Sequence, residues 1–361
     1  MKTAIVHDWL VTDAGAEKVL AQMVKILPDA DIFSLVDFLD DEDRERILGG
    51  REAGVTFIQH LPFAEKRFRN YLPLFPLAIS SLDMSDYDLI LSSSWAFAKG
   101  VKKREDATHL CYCHTPIRYA WDLFDEYTAD LSQPKRAIVR SILRHIRSLD
   151  RENSKMVDRF IANSSTVADR ILRHYGRESD VIHPPVDTDF FTLHEEKEDF
   201  YLTASRLVPY KKSLLIAEAF ADMPDRRLVI AGGGEEYEKI ASLGAPNITL
   251  TGHISAIELR NLMQRARAFV FASFEDFGIA PVEAMSTGTP VIAYGEGGIL
   301  DSVTEGVSGI FFHRQSREDI ADAIGRFERL SFDPARISRL ATRFSTENFT
   351  KRLSEYIDNH V

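Results

Sequence analysis

The stretch FEDFGIAPVEAM at residues 274–285 sets two carboxylates, Glu275 and Glu283, on either side of a small, flexible passage, Gly278-Ile279-Ala280-Pro281. It follows the apolar run AFVFAS (268–273) and reads as a strand, a loop and then a short helix with Pro281 in its first turn, where a missing N–H costs nothing. The amides of Gly278, Ile279 and Ala280 open that helix and suit an anion. A carboxylate beside such a site repels phosphate but accepts two O–H donors at once, so the pair points to the neutral hydroxyls of a sugar ring or a ribose. The structural alternative has Glu283 supporting the helix start and Glu275 solvated on its loop.

A second cluster, SRLVPYKKS (205–213), leaves another strand and carries Arg206 and Lys211 five positions apart across a proline turn. Two cations at a strand end would grip a pyrophosphate, each charge-assisted hydrogen bond contributing roughly 1.5–3 kcal/mol. A solvated basic loop is the other reading. The glycine-rich turns AGGGEEY (231–237), with Gly232 and Gly234, and YGEGGIL (294–300) lack the GxGxxG spacing with a later acidic residue, and suit close backbone approach to a base or phosphate. In the first half, TDAGAEKVL (12–20) runs from strand into helix, and Gly15 can bring amides to a phosphate. YCHTPIRYAWD (112–122) ends a strand at His114, read as a functional or a turn residue, and continues with Arg118, Tyr119, Trp121 and Asp122.

What must position these residues is an alternation of short apolar, β-branched runs with helical patterns, the signature of parallel sheets with crossover helices. Strands are expected near TAIVH (3–7), DIFSLV (31–36), VTFIQ (55–59), DLILSSS (88–94), THLCYCH (108–114), RFIANS (159–164) and DVIHPPV (180–186). The paired prolines and charged run after residue 183 suggest a linker. A second series begins at FYLTASRL (200–207). The expected division is a domain over 1–186, a linker over 187–198, a second domain over 199–345 and a helix over 346–361 packing back on the first. Two doubly wound α/β domains result, and ligands of such sheets bind beyond the carboxyl ends of the strands, so two domains facing a cleft are expected.

Composition narrows the field. With 361 residues, 45% hydrophobic and a net charge of −11, the chain is an ordinary globular one and not a general nucleic-acid binder. Beyond a Debye length of about 8 Å that charge is screened, so an anionic ligand needs a local cation cluster. No apolar run is long enough for a signal core or a spanning helix, which leads to a cytoplasmic expectation with membrane-surface contact left open. Cys111 and Cys113 exclude a disulfide framework and read as core residues. DYD (86–88) and DTD (187–189) have the Asp-x-Asp look of a metal site, but one precedes a buried strand and the other opens the linker, so no metal or other cofactor is expected.

SRLVPYKK, IAGGGEEYE, GHIS, FEDFGIAPVEAMSTGTPVIAYGEGG and VSGIFF together resemble the retaining glycosyltransferase family 4 of GT-B fold; GAEKVL, HTPIRYAWD and IANSSTVADRI match more loosely. CHTPIRYAWD and LSSSWAFAKGV resemble the mannosyltransferases of bacterial O-antigen and exopolysaccharide assembly. The resemblance implies two Rossmann-like domains and a nucleotide-sugar donor, GDP-mannose before a UDP-sugar, with a saccharide or polyprenyl-diphosphate-linked acceptor. It implies that Glu283 holds the ribose, that Glu275 and the amides of 278–280 address the donor sugar and its phosphate, that Arg206 and Lys211 neutralise the departing diphosphate, and that His114 lines the reacting sugar. The glycine of the N-terminal phosphate turn is present as Gly15, whereas its usual preceding glycine is Ala14. An epimerase or phosphorylase relative, and a nucleotide-sugar-binding module without turnover, are the rivals.

One helix is expected over 135–160, with Ile138, Ile142, Ile146, Leu149 and Met156 on one stripe and Arg136, Arg140, Arg144, Arg147, Arg151 and Lys155 opposite. Residues 135–159 carry eight basic against three acidic groups, a local +5. Such a face would seat the chain on anionic lipid near a lipid-linked acceptor; the alternative is a solvated face on a core-packing helix.

Overall fold

The computed structural model describes residues 1–361 apart from Asp13 and 123–131, so the TDAGAEKVL turn is seen without its Asp13. The chain divides into two compact units, Met1–His183 with Phe349–Val361, and Pro184–Asn348. Strands β1 (Thr3–His7), β2 (Asp31–Ser34), β3 (Gly54–Val55), β4 (Leu89–Ser94), β5 (Thr108–Cys113), β6 (Arg159–Ala162) and β7 (Ser179–Val181) form the first sheet, in the order β3-β2-β1-β4-β5-β6-β7, all parallel. β1 and β4 are buried along their whole lengths, as parallel strands covered on both faces must be. One core lies around Val6, Ile90 and Phe75, and a second around Ile5, Leu91 and Tyr112. Cys111 and Cys113 sit in a third apolar cluster with Phe160 and Ile171.

The second unit repeats the plan with β8 (Tyr201–Ala204), β9 (Leu228–Ala231), β10 (Ile248–Gly252), β11 (Ala268–Phe271), β12 (Val291–Tyr294) and β13 (Gly309–Phe312), in the order β10-β9-β8-β11-β12-β13, again parallel. In each sheet the strand order reverses once beside the first strand, between β1 and β4 and between β8 and β11. Loops leaving those neighbours diverge and open a crevice at the carboxyl ends, the place where open α/β sheets bind ligands.

Several expectations shift. The strand over 55–59 stops at Val55, because the Thr56 hydroxyl accepts the Ile58 N–H and starts a tight turn over Phe57–His60. The strand over 180–186 is cut to Ser179–Val181 ahead of the two prolines. Residues 187–198 are no free linker but part of the second unit: Phe191 is buried in its core, and Lys197 donates to the carbonyls of Gln264 and Thr287 and to Thr289 Oγ1 at 2.8, 3.0 and 2.9 Å. Burial lowers the Lys197 pKa to about 8. The C-terminal helix (Thr346–His360) places Phe349, Leu353 and Ile357 in the core of the first unit with Tyr112 and Ile161.

The helix expected over 135–160 runs from Gln133 to Asn153, and its buried face is Leu143, Ile146 and Asp150; Ile138 and Ile142 are 61% and 37% exposed. A buried polar knot fixes this rotation. Asp150 Oδ1 lies 2.8 Å from Lys99 Nζ, and Oδ2 accepts from Trp121 Nε1 and Tyr175 Oη at 2.8 Å each. Burial alone would lower the Lys99 pKa, but Asp150, with Cys113 and Asp8 adding to it, outweighs burial and holds it above the ordinary lysine value. Removing one member of a buried ion pair strands the other charge. Asp150→Ala is therefore expected to lower stability by about 3–5 kcal/mol, read from urea unfolding, whereas a loss under about 1 kcal/mol would deny the knot this role.

Candidate functional site

In the second unit the chemistry-bearing loops leave the two strands that flank the order reversal. After β8, Ser205–Val208 leads into a tight turn, Pro209–Lys211, ended by Lys212 in the left-handed region at φ +60°. After β11 the chain runs through Ser273 and Glu275 to Gly278, which caps the helix Ile279–Ser286 from the left-handed region at φ +90°. The two loops meet: Lys211 Nζ donates to Glu275 Oε1 at 2.5 Å, and the Ser273 hydroxyl donates to the same oxygen at 2.9 Å. Residues 64 positions apart thus converge on one point. Glu283 lies one turn inside the helix and is buried. Arg206 is on the same loop as Lys211 but is exposed and donates to Tyr210 Oη at 3.1 Å; it is not on Glu275.

The glycine-rich turns approach protein backbone. A Cβ on Gly232 would come within 1.9 Å of the Ser205 carbonyl oxygen, and one on Gly234 within 2.4 Å of that of Leu207. Leu207 N–H in turn donates to the Gly233 carbonyl at 2.9 Å. These glycines hold the strand-end segment that carries Arg206, which gives their small size a reason within the chain itself. The turn at 295–298 does the same for the carboxylate loop, with Gly298 N–H donating to the Glu275 carbonyl at 2.9 Å.

The first unit gathers polar groups at its own order reversal. His7, the last residue of β1, is in register with Ser93 of β4. His7 Nδ1 is 3.0 Å from Ser93 Oγ, and that hydroxyl is 2.8 Å from Nε2 of His114, just past β5. His7 Nε2 lies 3.5 Å from Glu17 Oε1, while Glu17 Oε2 accepts the Ala14 N–H at 3.1 Å. Gly15 opens the helix Gly15–Ile26, so the amide preceding it is already engaged within the chain. Asp8 accepts four backbone N–H groups, from Trp95, Ala96, Phe97 and Ala98, at 2.6, 2.7, 2.5 and 2.6 Å, which pins the loop beyond Ser94. Sequence reasoning missed His7, Asp8, Glu17 and Ser93 as site residues; the available signal was the polar pair directly after TAIV and the serine run ending DLILSSS. Burial, with His7 adding to it, lowers the His114 pKa to about 3, so its ring is neutral at physiological pH.

The residues assigned to an acceptor or membrane face divide. Trp121 stacks on His174 with ring centroids 4.6 Å apart and is held by Asp150. Arg147 turns inward, its Nε donating to the Ala120 carbonyl and its guanidinium lying over Trp121, which removes it from the exposed basic face. Arg140 and Arg144 are exposed, Arg118 and Tyr119 open the short helix Arg118–Trp121, and no described helix is long and apolar enough to cross a membrane. Of the Asp-x-Asp pairs, Asp88 is taken by the Lys2 N–H and by Arg104, and Asp187 accepts the Phe190 N–H at 2.9 Å.

The family described as Glycosyl transferases group 1 matches residues 187–344, and the one described as Glycosyltransferase Family 4 matches residues 14–190. D-inositol 3-phosphate glycosyltransferases of Mycobacterium bovis and Mycobacterium tuberculosis are 30% identical over 227 residues, which is 54% of this chain and 47% of theirs. The chain thus spans about half the length of these curated relatives. Among solved structures, Anabaena Alr3699/HepE in complex with UDP-glucose superposes with a TM-score of 0.71 at 18% identity, over 99% of this chain and 100% of that one. The lipopolysaccharide outer core galactosyltransferase WaaB superposes with a TM-score of 0.70 at 17% identity, over 100% of both. The fold is GT-B.

Burial also sets the sign of a pH dependence. His109, bonded to Ser92 and the Met156 carbonyl, is lowered to about 4, chiefly by burial. Both folded pKa values lie below the unfolded value of about 6.5, so the stability from each neutral ring is complete above that pH and is lost as pH falls towards the folded values. Between about pH 6 and pH 4, urea unfolding of His114→Gln is expected to show a slope shallower by up to about 1.4 kcal/mol per pH unit. An unchanged slope would mean His114 is not held neutral.

Proposed function

From a chain that carries a glycosyltransferase family 4 domain and a glycosyl transferases group 1 domain on the GT-B fold, we infer a nucleotide-sugar-dependent hexosyltransferase that works with retention and without a metal. The observation that carries this reading is the meeting of Lys211 with Glu275 beside the helix start at Gly278–Ala280, at the order reversal of the second sheet. A cation, a carboxylate and a helix N-terminus at one point suit a ligand that is both anionic and rich in hydroxyls, and a sugar diphosphate is both.

In this reading Glu283 holds the ribose, and Lys211, Arg206 and the amides of 278–280 receive the diphosphate. The bond between the anomeric carbon and the phosphate oxygen breaks through an oxocarbenium-like state, and negative charge grows on the departing diphosphate. Fixed cations stabilise that charge more than they stabilise the ground state, which is how they accelerate the step. The departing phosphate oxygen takes the proton of the acceptor hydroxyl, which adds to the same face and gives retention. His114 meets a hydroxyl of the hexose.

GDP-mannose is the proposed donor, on the strength of CHTPIRYAWD and LSSSWAFAKGV, with a saccharide of bacterial surface polysaccharide, carried on a polyprenyl lipid, as acceptor and a cytoplasmic site of action on the membrane face. A UDP-sugar is the second reading, favoured because the superposed Anabaena protein holds UDP-glucose. Calorimetry with GDP and UDP, followed by a donor-hydrolysis panel, separates them. Lys211→Ala is expected to lower turnover by roughly 10²–10³, and Glu283→Ala to weaken nucleotide binding by roughly 10-fold or more. Equal nucleotide affinity in Glu283→Ala would remove the ribose assignment, and no nucleotide released from any donor would favour a binding module.

A further inference from the structure

Four side chains in the first unit form a line, Glu17, His7, Ser93 and His114, with successive separations of 3.5, 3.0 and 2.8 Å, and the proposed chemistry gives a role only to the last of them. Glu17, His7 and Ser93 are 2%, 0% and 0% exposed, and His114 is 9% exposed at the end of the line. The Trp95 ring lies edge-on to both imidazoles, at 4.9 Å from His7 and 5.8 Å from His114. We propose that Glu17, His7 and Ser93 are positioning residues that lock the tautomer of His114, so that it offers a bare Nδ1 to a hydrogen-bond donor.

A neutral imidazole has one N–H and one lone pair, and a serine hydroxyl has one hydrogen to donate. Ser93 touches a nitrogen of each ring, so it donates to one and accepts from the other, and the whole line has a single direction. The direction is set at its buried end. Glu17 Oε2 is committed to the Ala14 N–H, and Oε1 faces His7 Nε2. A lone pair on Nε2 would oppose a carboxylate oxygen inside the protein, whereas a proton there is attracted to it; at 3.5 Å this is an electrostatic bias more than a strong hydrogen bond. His7 therefore carries its proton on Nε2 and accepts the Ser93 hydroxyl at Nδ1. The Ser93 oxygen then accepts from His114 Nε2–H, and Nδ1 is left as the free lone pair of that ring.

The consequence is a statement about the ligand. With burial holding the ring neutral, His114 refuses phosphate and carboxylate oxygens, which bring only lone pairs, and accepts an O–H or N–H. This deepens the transferase reading and rests on it: His114 meets a carbohydrate hydroxyl and is no part of the diphosphate seat.

The test uses the full chain with 15N-labelled histidine rings, observed by long-range proton–nitrogen NMR near pH 7, with His114 identified by the signal lost in His114→Gln. Protonated Nε2 and bare Nδ1 are expected on both His7 and His114. In Glu17→Gln the amide oxygen still has to accept Ala14 N–H, so its NH2 turns to His7 Nε2 and reverses the line; the His114 proton is expected to move to Nδ1. Ser93→Thr, which keeps the hydroxyl, should retain the parent pattern. A parent protein with Nδ1–H on either ring overturns the proposal even if the variant fails to fold, and so does a folded Glu17→Gln that leaves His114 unchanged. A protein that gives the expected spectra but releases no nucleotide from any donor would count against the transferase reading and leave the line of four intact.

Discussion

The ion pair between Lys211 and Glu275 is the constraint on which the second unit's site depends. Both side chains are about one-fifth exposed, 22% and 19%, so neither charge is fully solvated and each has reason to keep the other. Ser273 adds a third contact to the same oxygen. Because β8 and β11 are adjacent although 64 residues separate the pair, the contact joins two loops that would otherwise diverge from the order reversal. The glycine turns at 232–234 and 295–298 support each loop from its outer side. The pair also sets an electrostatic condition on the proposed ligand: a diphosphate arriving there would find Lys211 already partnered and would have to draw it from a carboxylate that repels the newcomer.

The first unit answers the same topological question with other chemistry. Its order reversal brings the ends of β1 and β4 side by side, and the register that pairs His7 with Ser93 sets their side chains together. Asp8, one residue further on, spends its carboxylate on four amides of the loop after β4. Each unit thus places its chemistry where two loops leave neighbouring parallel strands in opposite directions, and uses a charged side chain from one strand end to fix the backbone or side chain of the other.

The sequence made the tandem parallel sheets legible because buried parallel strands are continuous apolar runs, and it made Lys211 and Glu275 legible as residues of the loops that follow two such runs, which the structure brings together. What escaped was set by partners distant in the chain. Nothing within ten residues of His7 announces Ser93, and nothing near Asp150 announces Lys99 or Tyr175. The helix at 133–153 shows why periodicity failed there: its apolar residues fall on two overlapping stripes, and the polar knot at Asp150 chooses Leu143 and Ile146 over Ile138 and Ile142. Gly232 and Gly234 were visible as close-approach residues, but the sequence could not say that the approaching group is the chain's own backbone.

Titration calorimetry of GDP and UDP into Glu275→Gln tests the central claim most directly. If Lys211 is the diphosphate's cation and Glu275 its competitor, removing the carboxylate charge should tighten binding of the sugar-free nucleotide by about tenfold, about 1.4 kcal/mol. Binding that is weaker than in the unsubstituted protein, in a variant that remains folded, would contradict it.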